Sequence, residues 1–427
     1  MNEEAASRFS RNLLFQYGLQ LAKYIIPFIT IPYLTRVLSA DGFGVRAYVL
    51  SVMTIVAVVM EFGFMQTATK KVAERRDDRR SVEEAIGAVI WAKIFLSLAV
   101  CLGVFLLTWA VPLLRENAVY VGIALFGTVL NSFVPDFVFM GYEDMRIITL
   151  RYVVAKGFGA LLIFALVRSP EDLLVVPAID ALTSGVAVIW SYLGTKRTFG
   201  VGVRMPSLKA GWDELKESAL VAASNLSSTF FNSYTAVAVG IILSGPYDVA
   251  IWSLASTVVS ACQSLFTPVY NSLYAYMVAN RGLMLFKKIV SVGIAGSIIA
   301  SAVLAALSEP VILLLGGAEY AQGSYLISLM TPVVWLSFLS LMFGWPLLGA
   351  FGFIKEVTAT TVCSGVFNVV AVTLIGLFGF GTLAALATVR CATEAVLACS
   401  RMGVSLAKRH EIMRMRSDFA EERKVNE

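Results

Sequence analysis

Apolar stretches of about 18 to 29 residues follow one another along this chain with little between them, and that succession limits the fold more than any other feature. A helix of roughly 20 mostly apolar residues crosses the hydrocarbon of a bilayer. Backbone in lipid must satisfy its own hydrogen bonds, which leaves helices and closed barrels as the spanning forms. Twelve stretches have helical length: 12–38, 42–66, 85–109, 118–140, 150–167, 173–194, 217–243, 249–277, 287–307, 324–349, 355–378 and 380–403. Only 15 % of the 427 residues are charged, against about 25 % in an ordinary soluble domain. The chain therefore reads as an all-α integral membrane protein of about 12 transmembrane helices. The first eleven residues, MNEEAASRFSR, are polar. The apolar run behind them is far longer than the roughly 7–15-residue core of a signal peptide, so it is expected to stay as the first span.

Orientation follows from Lys and Arg in the connections. With the N-terminus in the cytoplasm, 26 of the 34 basic residues fall on the cytoplasmic side, Arg146 and Arg151 among them, and four fall outside, namely Arg36, Arg46, Arg115 and Arg168. Both termini are thus expected to be cytoplasmic. No connection is long enough for a soluble domain. The outer stretch SEPVILLLGGAEYAQGS reads as a short interfacial turn, and the tail from Lys408 as a charged, solvated end.

A faint repeat divides the chain. LSADGFGVRAYVLSV and LSGPYDVAIWSLAST lie about 204 residues apart, with Tyr48 falling on Trp252 and Val45 on Val249. Internal duplication is common in transporters. The expected organisation is an N-terminal lobe of six helices over 1–200, a cytoplasmic linker over 201–216, a C-terminal lobe over 217–403, and a charged tail over 404–427.

The remaining four basic residues lie inside spans: Lys23, Lys93, Lys156 and Arg390. So do the acids Glu61, Asp136, Asp180 and Glu394. At the bilayer centre each charge costs at least about 2.5–3.5 kcal/mol on insertion scales, so each must be paired, hydrated or within reach of the interface. Glu61 and Asp136 fall near cytoplasmic ends, and Lys156 and Lys93 are candidates for snorkelling. Arg390 and Glu394 stand at i, i+4, which suits a local pair. Lys23 and Asp180 are deepest. Either they pair with each other, or Lys23 is a cation in a cavity open to an anion such as a pyrophosphate. Gln16, Gln20 and Lys23 share one helical face with Asn12 and Thr30, and Asn225 and Asn232 share a face of the seventh span. A polar stripe through a span faces protein or water, so these amides are expected to line an interior.

Several chemistries are absent from the sequence. There is no GxxxxGK[ST] loop for a nucleotide, and GFGTLA from Gly379 lies between two spans and reads as a turn. The five cysteines, Cys101, Cys262, Cys363, Cys391 and Cys399, form no CxxC pair. With a single histidine, His410, no zinc set is expected. The cysteines read as small buried hydrophobes. No cofactor, metal or nucleic-acid partner is expected.

NLLFQYGLQLAKYIIPFITIPYLTRVLSADGFGVRAY, MEFGFMQTATKKVAERRDD, VPDFVFMGYEDMR and FNVVAVTLIGLFGFGTLAALATVRCATEAVL resemble the polysaccharide biosynthesis proteins of the Wzx type, the O-antigen flippases. That family shares a superfamily with the lipid II flippase and the multidrug and toxin extruders. It often has Trp and Gln where this chain has Phe137 and Met140. The resemblance implies two six-helix lobes around a central cationic cavity, in a bacterial inner membrane. It implies alternating access for a polyprenyl-pyrophosphate-linked oligosaccharide of O-antigen, capsule or exopolysaccharide, with a polymerase as a further partner. In that frame Lys23 offsets the pyrophosphate charge, with Lys93, Arg390 and Lys156 as further cations of the cavity. Glu61 resembles the acid before GFG in the family and stands as a gating or ion-coupling group, beside Asp180 and Glu394 as proton carriers. Two other readings compete. An ion-coupled exporter of small cations favours an acidic pocket, and a membrane enzyme of glycan assembly needs a catalytic set that the sequence does not display.

Overall fold

In the computed structural model the backbone is described for residues 3–243 and 245–426, and side chains for these except 3–14, 220, 224–233, 275, 279 and 419–426. All the regular structure among the described residues is helical. Two compact units divide the chain, Met1–Ser233 and Tyr234–Glu427.

The first unit begins with α1 (Glu3–Val37), which carries Pro27 and Pro32 in its interior. Next comes an apolar run broken in two. α2 (Ser39–Glu61) stops and α3 (Phe64–Glu74) starts across Phe62 and Gly63, whose φ angles are 47° and 81°. Glu61 holds this break, because its carboxylate accepts the backbone N–H of Gly63 at 2.9 Å and of Met65 at 2.8 Å. Gly63 is required here twice over. Its backbone is left-handed, and a Cβ would come within 2.9 Å of the Val221 side chain.

Asp78 caps α4 (Arg79–Ala110) by accepting from the backbone N–H of Arg80 and Ser81, as an N-cap carboxylate does. The short α5 (Pro112–Glu116) leads into α6 (Ala118–Ser132) and α7 (Asp136–Gly141), and Pro135 marks the break between these two. α8 (Met145–Leu166) and α9 (Val175–Phe199) follow, and α9 ends on Gly200 with φ of 69°. α8 packs on α1 and α9, and α6 on α9. The α6–α9 approach is close: a Cβ on Gly127 would lie 3.0 Å from the Ala181 Cα. Small residues permit such backbone contact where lipid supplies no hydrophobic drive between helices.

Beyond Gly200 the chain is extended and tied to α4. Glu83 accepts from the Gly202 N–H at 2.9 Å, and the Trp91 indole donates to the Pro206 carbonyl at 3.2 Å. α10 (Leu208–Ile242) then starts, and its Glu214 and Glu217 meet Lys71 at 2.6 and 2.7 Å.

The second unit holds α11 (Pro246–Ser264), α12 (Thr267–Asn280), α13 (Leu283–Ala306), α14 (Ser308–Leu315), α15 (Ser324–Met330), α16 (Pro332–Met342), α17 (Ile354–Leu377), α18 (Leu383–Ala407) and α19 (Arg409–Asn426). Its core gathers Leu273, Met277, Phe286, Phe338 and Met342. Two expectations are corrected in this unit. SEPVILLL is a helix, α14, followed by a 3₁₀ turn over Ala318–Gly323, rather than a bare turn. The tail is not wholly solvated: Ile412 is 4 % exposed and joins the core, and Arg281 donates to the Met415 carbonyl at 2.9 Å.

Ten helical runs among the described residues are long and apolar enough to cross a membrane. The first and seventh expected spans fall on α1 and α10, part of whose side chains lie outside the described residues. The cysteines depart from the reading of buried hydrophobes. Cys101, Cys363 and Cys399 are exposed, and Cys262 and Cys391 are half-buried.

Candidate functional site

Eight helices of the first unit, α1 to α4 and α6 to α9, contribute side chains to one cavity of about 350 Å³. Lys23 comes from α1, Glu61 from α2, Lys93 from α4, Asn131 from α6, Asp136 from α7, Arg151, Tyr152 and Lys156 from α8, and Ser184 from α9. Four cations and two carboxylates thus face one space inside a membrane-spanning unit. Each cation solves the problem of its burial differently.

Arg151 is buried and held by a two-pronged pair. Its Nη1 donates to Asp136 Oδ1 at 2.6 Å and its Nη2 to Oδ2 at 3.0 Å, while Nη1 also donates to the Ser191 hydroxyl at 2.8 Å. Parallel N–H···O bonds of this kind are among the strongest polar contacts. Lys93 is 7 % exposed. Its Nζ donates to the Ser132 carbonyl and lies 5.7 Å from the centre of the Phe64 ring. Lys156 donates to Asp180 Oδ1 at 2.8 Å, with the two side chains 37 % and 52 % exposed.

Lys23 is different. Its side chain is exposed to the cavity, and Nζ lies 5.9 Å from the centre of the Tyr152 ring. Among the described residues it has no carboxylate within ion-pair distance and no hydrogen-bond acceptor. A basic side chain placed this way in a membrane-spanning unit offers its donors to water or to an incoming anion.

A second cavity of about 300 Å³ adjoins the first and shares Ala57, Thr128, Asn131, Lys156 and Ser184 with it. Arg46, Tyr120 and Asp180 complete its polar lining. Both cavities open on one face of α2, where Arg46, Val49, Met53, Ala57 and Glu61 succeed one another at helical spacing. Fifteen residues of helix between Arg46 and Glu61 correspond to roughly 22 Å of groove.

The residues singled out in the sequence distribute as follows. Lys23, Lys93, Lys156 and Glu61 meet in the first cavity, and Asp180 in the second. Asp180 pairs with Lys156 and not with Lys23, which leaves the reading of Lys23 as a cation open to an anion. Lys156 is therefore a paired residue rather than one that snorkels to the interface. Gln16 and Gln20 are exposed on α1 and line neither cavity. Asn225 and Asn232 lie outside the residues whose side chains are described.

Arg390 and Glu394 belong to the second unit. They form the i, i+4 pair that their spacing predicts, at 3.6 Å. Glu394 also accepts from the Ser340 hydroxyl at 2.7 Å, and Arg401 donates to the Ser340 carbonyl at 2.6 Å and to the Thr361 hydroxyl at 3.1 Å. Arg401 is buried in α18.

Two cavity cations escaped the sequence reading in the same way. Arg151 was counted with the cytoplasmic connections, yet it sits inside α8 and faces the cavity. Arg46 was counted with an outer loop, yet it lies in α2 and faces the second cavity. The signal for Arg151 is the acid Asp136 beside Pro135, which needs a basic partner. Among the described residues no group of three or more His, Cys, Asp and Glu side chains is placed to hold a metal.

Comparison with known proteins bears on both fold and site. The family described as polysaccharide biosynthesis protein matches residues 9–280, a span that includes every residue of the two cavities. A protein of Escherichia coli (strain K12) named "Putative O-antigen transporter" is 25 % identical over 369 residues, covering 85 % of this chain and 88 % of its own length. A Shigella dysenteriae protein of the same name is 24 % identical over 352 residues, covering 79 % of this chain and 86 % of its own. Among solved structures, an inward-facing multidrug resistance MATE family transporter of the MOP superfamily superposes with a TM-score of 0.70. It is 13 % identical, and the match covers 97 % of this chain and 99 % of the other. An outward-facing MATE family transporter of that superfamily gives a TM-score of 0.60 at 13 % identity, covering 96 % of each chain. At that identity the likeness is one of fold.

Proposed function

The chain belongs to the polysaccharide biosynthesis protein family, and from that premise we propose that it is a flippase for a lipid-linked oligosaccharide repeat unit. It is a multi-pass membrane transporter and not an enzyme. The observation that carries the reading at the level of the site is Lys23, a cation without a protein counter-ion in a cavity where four basic side chains face two carboxylates. Such a space suits an anionic headgroup. A pyrophosphate joining a polyprenyl tail to a glycan has the required charge, and Lys serves it as a mobile point charge.

The fuller form of the proposal has twelve spans with both termini in the cytoplasm of a bacterial inner membrane. The lobes are 1–200 and 217–403, joined by 201–216 and followed by the tail 404–427. The tail of the lipid stays in the bilayer while the headgroup passes through the cavity, whose access alternates between the two membrane faces. A polysaccharide polymerase acts on the delivered repeat unit. The likeness to multidrug transporters leaves a small-molecule exporter as the competing reading, but the cationic balance of the cavity favours an anionic cargo over a cationic drug.

The test is sidedness. In membranes from cells lacking the gene, the lipid-linked oligosaccharide is expected to accumulate on the cytoplasmic leaflet, out of reach of an externally added lectin. The intact gene restores access and the Lys23→Ala gene does not. Unchanged sidedness together with altered tolerance of cationic dyes would overturn the flippase in favour of the exporter.

A further inference from the structure

A third cavity, of about 520 Å³, lies where α8 packs on α9 and shares no residue with the two described above. Val186, Ile189, Trp190, Leu193 and Arg197 follow one another along one face of α9, and Ile147 of α8 adds to the wall. Val186, Ile189, Trp190 and Leu193 are exposed, although they belong to a run long and apolar enough to cross a membrane. Protein does not cover this wall, so in a membrane the bilayer does.

The dimensions of the groove match one leaflet. Val186 stands near the middle of α9 and Arg197 in its last turn. The helix between them is roughly 16 Å long, and half of the 30 Å hydrocarbon layer is about 15 Å. The apolar end therefore reaches the bilayer centre while Arg197 stands at the rim.

Charge and hydrogen bonding narrow the occupant. Lys196 is exposed at the same end of α9, and Arg146 is exposed beside Ile147 at the start of α8. The side chains of Arg146, Lys196 and Arg197 have no hydrogen-bond or ion-pair partner among the described residues. Nor do the Trp190 indole N–H and the Thr198 hydroxyl, which also line the groove. Two acids, Glu143 and Asp144, precede α8, but neither lines the cavity, and Asp144 is engaged as the cap of α8. The lining thus offers an apolar wall, donors and positive charge, with no carboxylate. A zwitterionic headgroup brings an ammonium against three cations. A polyprenyl chain has no ester oxygen for Trp190. A diacyl lipid with a net negative head supplies an acyl chain, ester acceptors and a phosphate, and basic pockets between spanning helices suit such heads.

We propose that the α8–α9 groove binds one anionic glycerophospholipid of the surrounding bilayer. Its acyl chain lies along Val186, Ile189 and Leu193, and its phosphate meets Arg197. The same two helices carry Lys156 and Asp180, so a lipid seated across both steadies the packing on which that pair depends. The proposal rests on the membrane-spanning character of the unit and not on the cargo.

The experiment uses the purified full chain in detergent and phosphatidylglycerol with a photoreactive group in its acyl chain. Labelling is expected to saturate and to map to the segment 186–193. Unlabelled phosphatidylglycerol should compete about tenfold better than phosphatidylcholine. Arg197→Gln is expected to lower the affinity for phosphatidylglycerol by about tenfold, the worth of a hydrogen bond to a charged group, and to leave phosphatidylcholine within about twofold. Trp190→Phe keeps the ring and removes the N–H, and should weaken both lipids. Each substitution is at an exposed position, so the thermal midpoint without added lipid serves as the control for folding. Equal competition by the two lipids, with no effect of Arg197→Gln, would overturn the anionic site. Displacement of the label by polyprenyl phosphate at lower concentration than by phosphatidylglycerol would overturn it too, and give the groove to the tail of a carrier lipid. Labelling that does not saturate, or that maps elsewhere, would remove the site.

Discussion

Lys156 on α8 and Asp180 on α9 meet at 2.8 Å at the point where the two cavities join. Both side chains are partly exposed, at 37 % and 52 %, so solvent screens their attraction and the pair contributes only about 0–1 kcal/mol to stability. A weak pair at a junction can exchange partners, and on the flippase proposal an arriving phosphate is expected to take Lys156 and release Asp180. Lys156→Met and Asp180→Asn are therefore expected to shift the thermal midpoint by no more than a few degrees and still to slow export of the lipid-linked glycan. A large fall in stability for either substitution would show that the pair is a structural clamp.

The spans were legible in the sequence because the thickness of a bilayer sets their length, and because a charge such as Lys23 in an apolar run demands an explanation. The partners were not legible. Lys156 and Asp180 are 24 residues apart and pair because α8 packs on α9, and no local pattern fixes that register. Arg151 and Asp136 stand at the edges of their apolar runs, so each passed for an interfacial residue. The break at Phe62 was hidden for a related reason: a positive φ at a phenylalanine has no sequence signature, and only Gly63 hinted at it.

Arg151 and Asp136 make the opposite kind of pair. Arg151 is 6 % exposed and Asp136 22 %, so removing one partner strands a charge away from water, at a cost of about 3–5 kcal/mol. The effect should be asymmetric. Asp136→Ala strands the more deeply buried guanidinium, whereas Arg151→Ala strands a carboxylate that is partly open to the cavity. Asp136→Ala is expected to be the less stable protein, and the double substitution more stable than either single one. Thermal unfolding in detergent at neutral pH checks the order.

Glu61 can be assigned by a single isosteric change. Its two oxygens each accept one backbone N–H at the α2–α3 break, and Glu61→Gln keeps one acceptor while losing the charge. If the carboxylate serves chiefly as this cap, the variant loses about 1 kcal/mol of stability and continues to transport. Abolished transport with an unchanged thermal midpoint would give Glu61 the gating or ion-coupling role instead.

Asp78 sets the pH range in which the cap of α4 is intact. Hydrogen bonds from Ser81, side chain first and backbone N–H next, hold its carboxyl below its ordinary value of 3.8. The folded pKa is thus lower than the unfolded one. The cap's contribution is present in full above the unfolded value and is lost as pH falls through the folded value. The difference in thermal midpoint between the intact protein and Asp78→Ala should therefore stay constant from about pH 5 to about pH 8 and shrink only in stronger acid. Any pH dependence of transport near neutrality must come from other groups, and in Asp78→Ala it should persist unchanged.

Lys23 separates transport from stability most cleanly. Because it has no carboxylate partner among the described residues, its removal strands no counter-charge, and its exposure means that little packing is lost. Lys23→Met is expected to fold with an unchanged or slightly higher thermal midpoint. Its affinity for the pyrophosphate headgroup should fall by about ten- to a hundredfold, the worth of a charge-assisted contact of roughly 1.5–3 kcal/mol. Lys23→Arg restores the charge at nearly the same reach and should recover most of the loss. Rescue by arginine but not by glutamine would establish that the charge acts. Equal failure of arginine and glutamine would show that the lysine is needed for its shape, and would remove it from pyrophosphate recognition.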